Sequence, residues 1–249
     1  MVEVYTIVSV GTVSLLSLIG ALLFLTGDAV IGSFITYSLA VSSGVMLGSV
    51  FFDVLPESIA LFPDGALGVT LTGFIGFFAL EKLLSWHHHT QGDHHENHDE
   101  KPVATLTLLG DGIHNFVDGI VIASGYLVSI PIGISTTIAV IAHEIPHEMS
   151  DFLVLLHAGL PKSKALLYNF FSALTAVAGA CVVLFFSFRV ESLGRFLLPF
   201  AAGNFLYIAA TDLIPELLKK RRLSVSIIQI ILLISGVLLI NTVRMLVKE

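Results

Sequence analysis

The sequence predicts an all-α protein that crosses a membrane several times, and three observations carry this prediction. Of the 249 residues, 55% are hydrophobic and only 12% are charged, about half the charged fraction of an ordinary soluble domain. The mean hydropathy is +0.92. Seven stretches of at least 16 residues contain no charged side chain, among them 4–27, 29–52 and 119–142. Because a spanning helix needs about 20 apolar residues, these stretches predict membrane helices.

The number of predicted spans rises to eight when segment 102–118 is added, because its few polar residues recur at helical spacing. The predicted spans lie near 4–26, 31–57, 64–85, 102–128, 131–158, 164–188, 193–218 and 223–246. Little chain remains between them, which predicts one transmembrane domain over residues 1–249. The lipid bilayer is therefore the expected surrounding, and the net charge of −7 gives no reason to expect a nucleic-acid partner.

The basic residues predict how the chain is oriented. If the N-terminus lies outside, eight lysines and arginines fall in cytoplasmic connections and four fall outside. Positively charged residues are enriched on the cytoplasmic side of membrane proteins. The count predicts a multi-pass protein of the cell membrane with both termini outside.

One connection, residues 87–101, is long and strongly biased in composition. It contains six histidines among four acidic residues, the histidines being His87, His88, His89, His94, His95 and His98. Low hydrophobicity predicts a disordered loop, and imidazole with carboxylate is a donor set for zinc-like ions. The predicted orientation places this loop in the cytosol, where it would gather metal ions. A solvated linker without a role in transport is the alternative.

Two segments resemble each other within the chain. Residues 44–57 read GVMLGSVFFDVLPE and residues 203–216 read GNFLYIAATDLIPE, with five of 14 positions identical. On the predicted topology the first segment runs outward and the second inward. This pattern is typical of an inverted repeat, here relating spans 1–3 to spans 6–8 with spans 4 and 5 central, and it predicts an alternating-access transporter.

The predicted spans 4 and 5 each carry a polar stripe along one helical face. Both stripes have the spacing i, i+3, i+4, i+7. The residues are Asp111, His114, Asn115 and Asp118 in span 4, and Glu144, His147, Glu148 and Asp151 in span 5, with His143 one turn before His147. An ionisable group in a bilayer costs about 2.5–3.5 kcal/mol on insertion scales, so the two stripes are expected to face each other or water.

The residue types on these stripes indicate a transition metal, zinc first. Imidazole with carboxylate suits zinc and its first-row neighbours, whereas oxygen alone would suit magnesium or calcium. The i, i+4 pairs His114 with Asp118 and His143 with His147 supply four converging ligands. Asn115 and Glu144 are expected to hold a second ion that shares Asp118 or His147. Asp111, Glu148 and Asp151 complete the set of candidate metal-binding residues.

Pro146 lies between the histidines of span 5. A proline inside a helix donates no backbone hydrogen bond, so it is expected to kink the span and free a carbonyl near residue 142. Freed backbone groups at membrane depth are tolerated where they are buried in protein or line a cavity. The proline therefore supports a cavity beside the metal ligands.

The segments His114-Asn115-Phe116-Val117-Asp118-Gly119 and His143-Glu144-Ile145-Pro146-His147-Glu148 closely resemble the signature of the ZIP family of zinc and iron transporters. The similarity is greatest to the branch whose fifth helix reads His-Glu-x-Pro-His-Glu. It implies transport of zinc into the cytosol, with cadmium, iron(II) or manganese as further substrates, and no catalytic cofactor. It also implies a binuclear centre between helices 4 and 5, a homodimer, and sliding of one helix bundle against the other. Some bacterial members add a glutamate from helix 6, but residues 172–176 contain no acid.

Two other functions fit part of the sequence. His143-Glu144-Ile145-Pro146-His147 also matches the His-Glu-x-x-His pattern of zinc proteases, in which the glutamate activates a metal-bound water. Such enzymes take their third ligand from a later helix, whereas Asp118 precedes the histidines, so no enzyme is predicted. A metal sensor is the other alternative, but the chain has no room for a separate output domain.

Overall fold

Long apolar runs, separated by short polar connections, form helices in the computed structural model. The structure describes residues 1–19, 28–89, 101–187, 193–219 and 222–248, and these ranges contain no β-strand. The described helical segments are α1 (Val2–Leu16), α2 (Asp28–Ser49, then a π-helical turn at Val50–Val54, then Leu55–Leu61), α3 (Ala66–His89), α4 (Lys101–Val128), α5 (Ile130–His157), α6 (Lys162–Ala173 and Thr175–Ser187), α7 (Leu193–Ile208, then a π-helical turn at Ala209–Leu213, then Ile214–Leu218) and α8 (Leu223–Lys248).

Six of these segments are long and apolar enough to cross a membrane, namely α1 together with the 3-10 turn over residues 17–19 that follows it, α2, α3, α6, α7 and α8. The other two, α4 and α5, are each 28 residues long, or about 42 Å. Length therefore does not distinguish them from the first six, but their polar stripes make them less apolar. The chain is thus an all-helical protein with six candidate membrane spans among the residues that the structure describes.

The helix bounds differ from the predicted spans at three places. Helix α2 continues to Leu61, beyond the predicted end at residue 57. Helix α3 continues to His89, because no glycine or proline interrupts residues 80–89, so only residues 90–100 of the His-rich loop separate it from α4, and these lie outside the described residues. The predicted sixth span is interrupted at Leu174, between the two parts of α6.

The π-helical turns of α2 and α7 each precede a proline. In both, a backbone N–H donates to the carbonyl five residues earlier, from Leu55 to Val50 and from Ile214 to Ala209. Pro56 and Pro215, the next residues, have no N–H to give, so the wider turn accommodates the missing hydrogen bond. A π turn also widens the helix locally, and it brings Asp53 and Asp212 to corresponding positions.

Helices α2, α4, α5 and α7 form the inner layer of the bundle. In the spanning windows of α2 and α7, 61% of residues are buried, against 17% for α3 and α8. Helix α2 packs on α8 and α5, while α7 packs on α3 and α4, and α4 also packs on α6. The polar helices α4 and α5 are therefore shielded from lipid by more apolar neighbours.

Glycines bring three pairs of helices into close backbone contact, one of them α4 and α6 through Gly119 and Gly179. A Cβ atom added at Gly44 or Gly236 would clash with a backbone carbonyl across the α2–α8 contact. The same holds for Gly73 and Gly203 across the α3–α7 contact. Small residues allow membrane helices to approach closely enough for dispersion contacts between their backbones.

Candidate metal centre

A tight turn at Ser129 brings the polar stripes of α4 and α5 to the same depth. Helix α4 ends at Val128, and the Ser129 hydroxyl accepts a hydrogen bond from the N–H of Ile132, capping α5. His114 and His143 lie 15 and 14 residues from this turn. Because the two helices run antiparallel from one hinge point, equal distances along the chain place the histidines at one level.

Four side chains from the two helices converge on one point, namely His114, Asp118, His143 and Glu144. The Nε2 atom of His143 lies 3.1 Å from Asp118 Oδ2 and 3.4 Å from Glu144 Oε1. The Nε2 atom of His114 lies 3.3 Å from Glu144 Oε1, 3.3 Å from His143 Nε2 and 3.7 Å from Asp118 Oδ2. Tetrahedral zinc with bonds of about 2.0–2.1 Å separates its ligands by roughly 3.3–3.4 Å. The four atoms are thus spaced as zinc ligands would be.

The ring of His143 is oriented for metal binding. Its Nδ1 atom lies 3.0 Å from the carbonyl oxygen of Ala139, one turn earlier in α5. Since a carbonyl only accepts, Nδ1 carries the proton and Nε2 presents its lone pair to the other three side chains. His143 is fully buried, and the ring of Phe205 on α7 lies 6.3 Å away between centroids.

Several oxygen atoms at this point are buried without a hydrogen-bond partner in the described part of the chain. They are Asp118 Oδ1 and both carboxylate oxygens of Glu144. A buried carboxylate without compensation is costly. A bound cation would compensate these charges, so the unpaired oxygens support a metal-binding role for the group.

A second group lies next to the first and contains Asp111, His147 and Asp151. The Nδ1 atom of His147 lies 3.2 Å from Asp151 Oδ2, and its ring is stacked on that of His114 with centroids 4.8 Å apart. Asp111 Oδ1 accepts a hydrogen bond from Asn115 Nδ2 at 2.8 Å. The stacked imidazoles of His114 and His147 join the two groups into one continuous polar path.

Glu148, also on the polar stripe of α5, belongs to neither group. Its carboxylate accepts a hydrogen bond from Asn169 Nδ2 of α6. Asn169 also donates to the backbone carbonyl of Glu148 at 3.3 Å, and both side chains are fully buried. Glu148 therefore ties α5 to α6 in this structure.

Comparison with known proteins identifies the family. A model of the family described as ZIP Zinc transporter matches residues 1–106 and 98–244, which together cover nearly the whole chain. The chain belongs to the ZIP family. Together with the six apolar helices, this membership makes it an integral multi-pass membrane protein.

Several zinc transporters are similar to this ZIP-family chain. Zinc transporter ZIP13 of Mus musculus is 32% identical over 255 aligned positions, covering 84% of this chain and 70% of that protein. Zinc transporter ZIP6 of Homo sapiens is 39% identical over 135 positions, covering 53% of this chain and 18% of that protein. Zinc transporter ZIP13 of Danio rerio is 41% identical over 134 positions, covering 53% and 38%. The similarity to human ZIP6 thus spans less than a fifth of that protein.

A cavity of about 360 Å³ borders the candidate metal centre of this ZIP-family protein. Its polar lining includes four acids and both stacked histidines, namely Glu81, Asp111, Asp151, Asp212, His114 and His147. No lysine or arginine lines it in the described part of the chain. A cavity with this lining attracts cations.

The structure differs from the sequence prediction in how it groups the ligands. The spacing predicts His147 as the partner of His143 in a four-ligand set, whereas the structure brings Glu144 to that place and pairs His147 with Asp151. Asn115 Nδ2 donates to Asp111 one turn earlier, and its Oδ1 atom is buried without a hydrogen-bond partner in the described part of the chain. Of the nine predicted residues, four form the first group and three the second, whereas Asn115 contacts Asp111 and Glu148 contacts Asn169 of α6.

Two residues near the site were not predicted, Asn169 and Ser42. Asn169 was missed because an isolated asparagine in an apolar helix gives no pattern. Ser42 of α2 donates a hydrogen bond to the carbonyl of Ala142, which is the acceptor that Pro146 leaves free. The proline predicted that the carbonyl near residue 142 would lack its usual donor. Nothing in the sequence indicated which helix would supply a replacement.

Proposed function

We propose that this chain transports zinc across the membrane, with the ion bound between α4 and α5 by His114, Asp118, His143 and Glu144. The observation that carries the proposal is the buried group of two imidazoles and two carboxylates, spaced at 3.1–3.7 Å. Zinc transporters among its relatives support the choice of metal. Cadmium, iron(II) and manganese are further candidate substrates because they accept the same donor types.

The second group provides a second binding position for an ion that has left the first group. Asp111, His147 and Asp151 supply one imidazole and two carboxylates within 4.8 Å of one another. Asn115 orients Asp111 through its hydrogen bond, and Glu148 lies at the back of α5 against Asn169. An ion released by the first group would reach the second by passing along the stacked rings of His114 and His147.

The fold proposed for this function has eight membrane spans in an inverted repeat. Corresponding features support the repeat: α2 and α7 share a π turn before proline, and Gly44 and Gly203, which match in the two segments, both contact a neighbouring helix closely. The packing of α2 on α8 and α5 corresponds to that of α7 on α3 and α4. Helices α4 and α5 become spans because their polar faces meet inside the bundle.

Zinc is proposed to move into the cytosol by alternating access. The acidic cavity opens beside Asp151 and Asp212, near the ends of α5 and α7 that the basic-residue count assigns to the cytoplasm,. With this orientation both termini lie outside the cell membrane. The family resemblance further implies that the protein acts as a homodimer.

Transport is favoured over proteolysis by the positions of the two histidines of α5. In a zinc protease of the His-Glu-x-x-His type both histidines bind one ion and the glutamate stands off it. Here His143 and Glu144 belong to one group and His147 to another. A metal sensor is less well supported, because a cavity leading from the ion site is a requirement of transport rather than of sensing.

Zinc uptake into proteoliposomes tests the proposal. Purified protein should load vesicles with zinc, reported by an internal fluorescent chelator, and cobalt or cadmium should compete. Empty vesicles and vesicles with the His114→Ala, His143→Ala double variant are the controls. Equal rates for this variant and the unaltered protein would show that the flux does not pass through the site.

Replacing the six histidines of residues 87–98 by serine is expected to change zinc uptake by no more than a few-fold, because the proposed ion path runs between α4 and α5. The same replacement should remove a set of weak metal-binding sites, since it takes away all six imidazoles. Calorimetric zinc titration of the peptide 87–100, compared with the peptide in which histidine is replaced by serine, checks the second part. Identical heats for the two peptides would contradict metal binding by the loop.

A further inference from the structure

Helix α2 lies along α5 and touches it through a row of polar side chains. Ser42, Ser49 and Asp53 recur on one face of α2, and all three are buried. Ser42 Oγ donates to the carbonyl of Ala142. Farther along, Ser135 Oγ of α5 lies 3.2 Å from Ser49 Oγ and donates to Asp53 Oδ2 at 2.5 Å. The two helices are therefore joined at two levels, seven residues apart in each.

The first level lies directly beside the metal ligands. The Ala142 carbonyl is free because Pro146 cannot donate to it, and Ala142 precedes His143 and Glu144 in the chain. Ser42 Oγ, which also lies 2.8 Å from the Ser38 carbonyl of its own helix, supplies a donor to this carbonyl from another helix. It thereby holds the segment of α5 that lacks one backbone hydrogen bond. This segment directly precedes two proposed ligands of the first ion.

The second level is a charged contact at the opposite end of the α2–α5 interface from the cavity. Asp53 projects from the π turn of α2, and its Oδ1 atom lies 3.2 Å from Arg244 Nε of α8. The same carboxylate thus holds Ser135 of α5 and Arg244 of α8 at once. Hydrogen bonds to a charged group are stronger than neutral ones, so this level is the firmer of the two.

We propose that Ser42, Asp53 and Arg244 are positioning residues that hold α5 in the register seen here, closed on the Asp53 side and open on the Asp212 side. The inference rests on the proposed transport function. An ion can enter from the closed side only if α5 moves away from α2, and the contacts of Ser135 with Ser49 and Asp53 must break for this to happen. The hydroxyl contacts are short-range and few, so they can part and re-form during each cycle.

A disulfide between α2 and α5 tests whether this interface must open. The variant Ser49→Cys, Ser135→Cys is made in a Cys181→Ala background, since Cys181 is exposed and would otherwise react. Oxidation should reduce zinc uptake at least about tenfold, and a reductant should restore it, because the cross-link replaces a contact of modest strength by a covalent bond. Each single-cysteine variant, treated identically, is the control and should keep its uptake.

The possible results separate this inference from the proposed function. If the unaltered protein carries no zinc, the proposed function fails, and the thiol-labelling rates described next decide the inference on their own. If the Cys181→Ala protein carries zinc and the fully cross-linked protein carries it at the same rate, the interface does not open and the inference is wrong. Non-reducing electrophoresis quantifies the cross-linked fraction.

Thiol labelling tests the role of Asp53 without a transport assay. In detergent, the buried cysteine of Ser49→Cys should react slowly with a charged thiol reagent. Adding Asp53→Asn or Arg244→Gln should raise the labelling rate about tenfold, the effect expected from losing one charge-assisted contact. Asp212→Asn makes the same charge change at the corresponding π turn of α7 and should leave the rate unchanged. Equal rates in all four proteins would overturn the assignment, and thermal unfolding curves verify that each variant is folded.

The role of Ser42 can be tested separately, by measuring the zinc affinity of the first group. Ser42→Ala should weaken zinc binding to the first group several-fold, because the Ala142 carbonyl loses its partner beside His143. Ser42→Thr keeps the hydroxyl and should restore the affinity. If alanine and threonine variants bind zinc as the unaltered protein does, Ser42 has no positioning role.

Discussion

Zinc uptake is expected to fall at least about 100-fold when Asp118 is replaced by Ala, because even the loss of a group that only supports a metal ligand costs roughly 10–100-fold. Asp118 Oδ2 lies 3.1 Å from His143 Nε2 and 3.7 Å from His114 Nε2. It therefore supplies a negative oxygen between the two imidazoles, and alanine leaves only three ligands. The protein should still fold, since removing a buried charge relieves its cost of burial.

Asp151→Asn is the matched comparison for this prediction. Asp151 lies in the second group, against His147 at 3.2 Å. Zinc titration of the purified protein should lose its tight step in the Asp118→Ala variant, whereas Asp151→Asn should keep the tight step and weaken a second one. Loss of the same step in both variants would mean that the two groups act as one site. An unchanged isotherm for Asp118→Ala would remove this residue from the ion path.

The helices could be predicted because the apolar runs are long and uninterrupted. The ends of α4 and α5 were predicted within one residue, since Ser129 separates them and α5 continues through Pro146 to His157. The π turns were not predicted. Pro56 and Pro215 indicate a lost hydrogen bond, but the sequence does not determine whether the helix kinks or forms a wider π-helical turn there.

The interruption of α6 at Leu174 also escaped prediction, and its reason lies in tertiary contacts. Thr175 Oγ1 donates to the carbonyl of Gly112 on α4 at 2.6 Å, and Ser172 Oγ donates to that of Leu108 at 2.9 Å. The side chains thus join α6 to α4 on both sides of the break. Composition alone could not show this, because Ser172 and Thr175 are two single hydroxyl residues in an apolar run that contains no proline.

The stripes on α4 and α5 were predicted, but not which residues of each stripe meet. Helical spacing puts His143 and His147 on one side of α5, about 6 Å apart along its axis. That spacing still allows two side chains to bind one ion, as His114 and Asp118 at the same spacing in the first group illustrate, so it does not exclude His147. Neighbouring residues 143 and 144 lie at nearly one level, so both reach the point where α5 crosses α4. The level at which the two helices cross depends on how they pack against each other. The spacing of residues within one helix does not determine that level.

Replacing His143 by Glu is expected to change which metal the protein prefers. The first group would then contain one imidazole and three carboxylates, because His114 would be its only nitrogen donor. Zinc gains more from imidazole than manganese does, and harder ions favour oxygen. The extra negative charge also favours any divalent cation. Manganese and iron(II) should therefore compete better against zinc, while zinc transport continues with reduced preference.

Competition uptake with zinc, cadmium, iron(II) and manganese measures this change. His147→Glu is the matched control, since it makes the same chemical replacement in the second group. The geometry around His143 explains why its variant should have the larger effect: the ring is fully buried, its Nδ1 atom is fixed on the Ala139 carbonyl, and its Nε2 atom faces Asp118 and Glu144. His147 is partly exposed to the cavity, where water can replace a lost ligand. If His143→Glu keeps the metal order of the unaltered protein while His147→Glu alters it, selection occurs at the second group, and His143 does not bind the ion at the selective step.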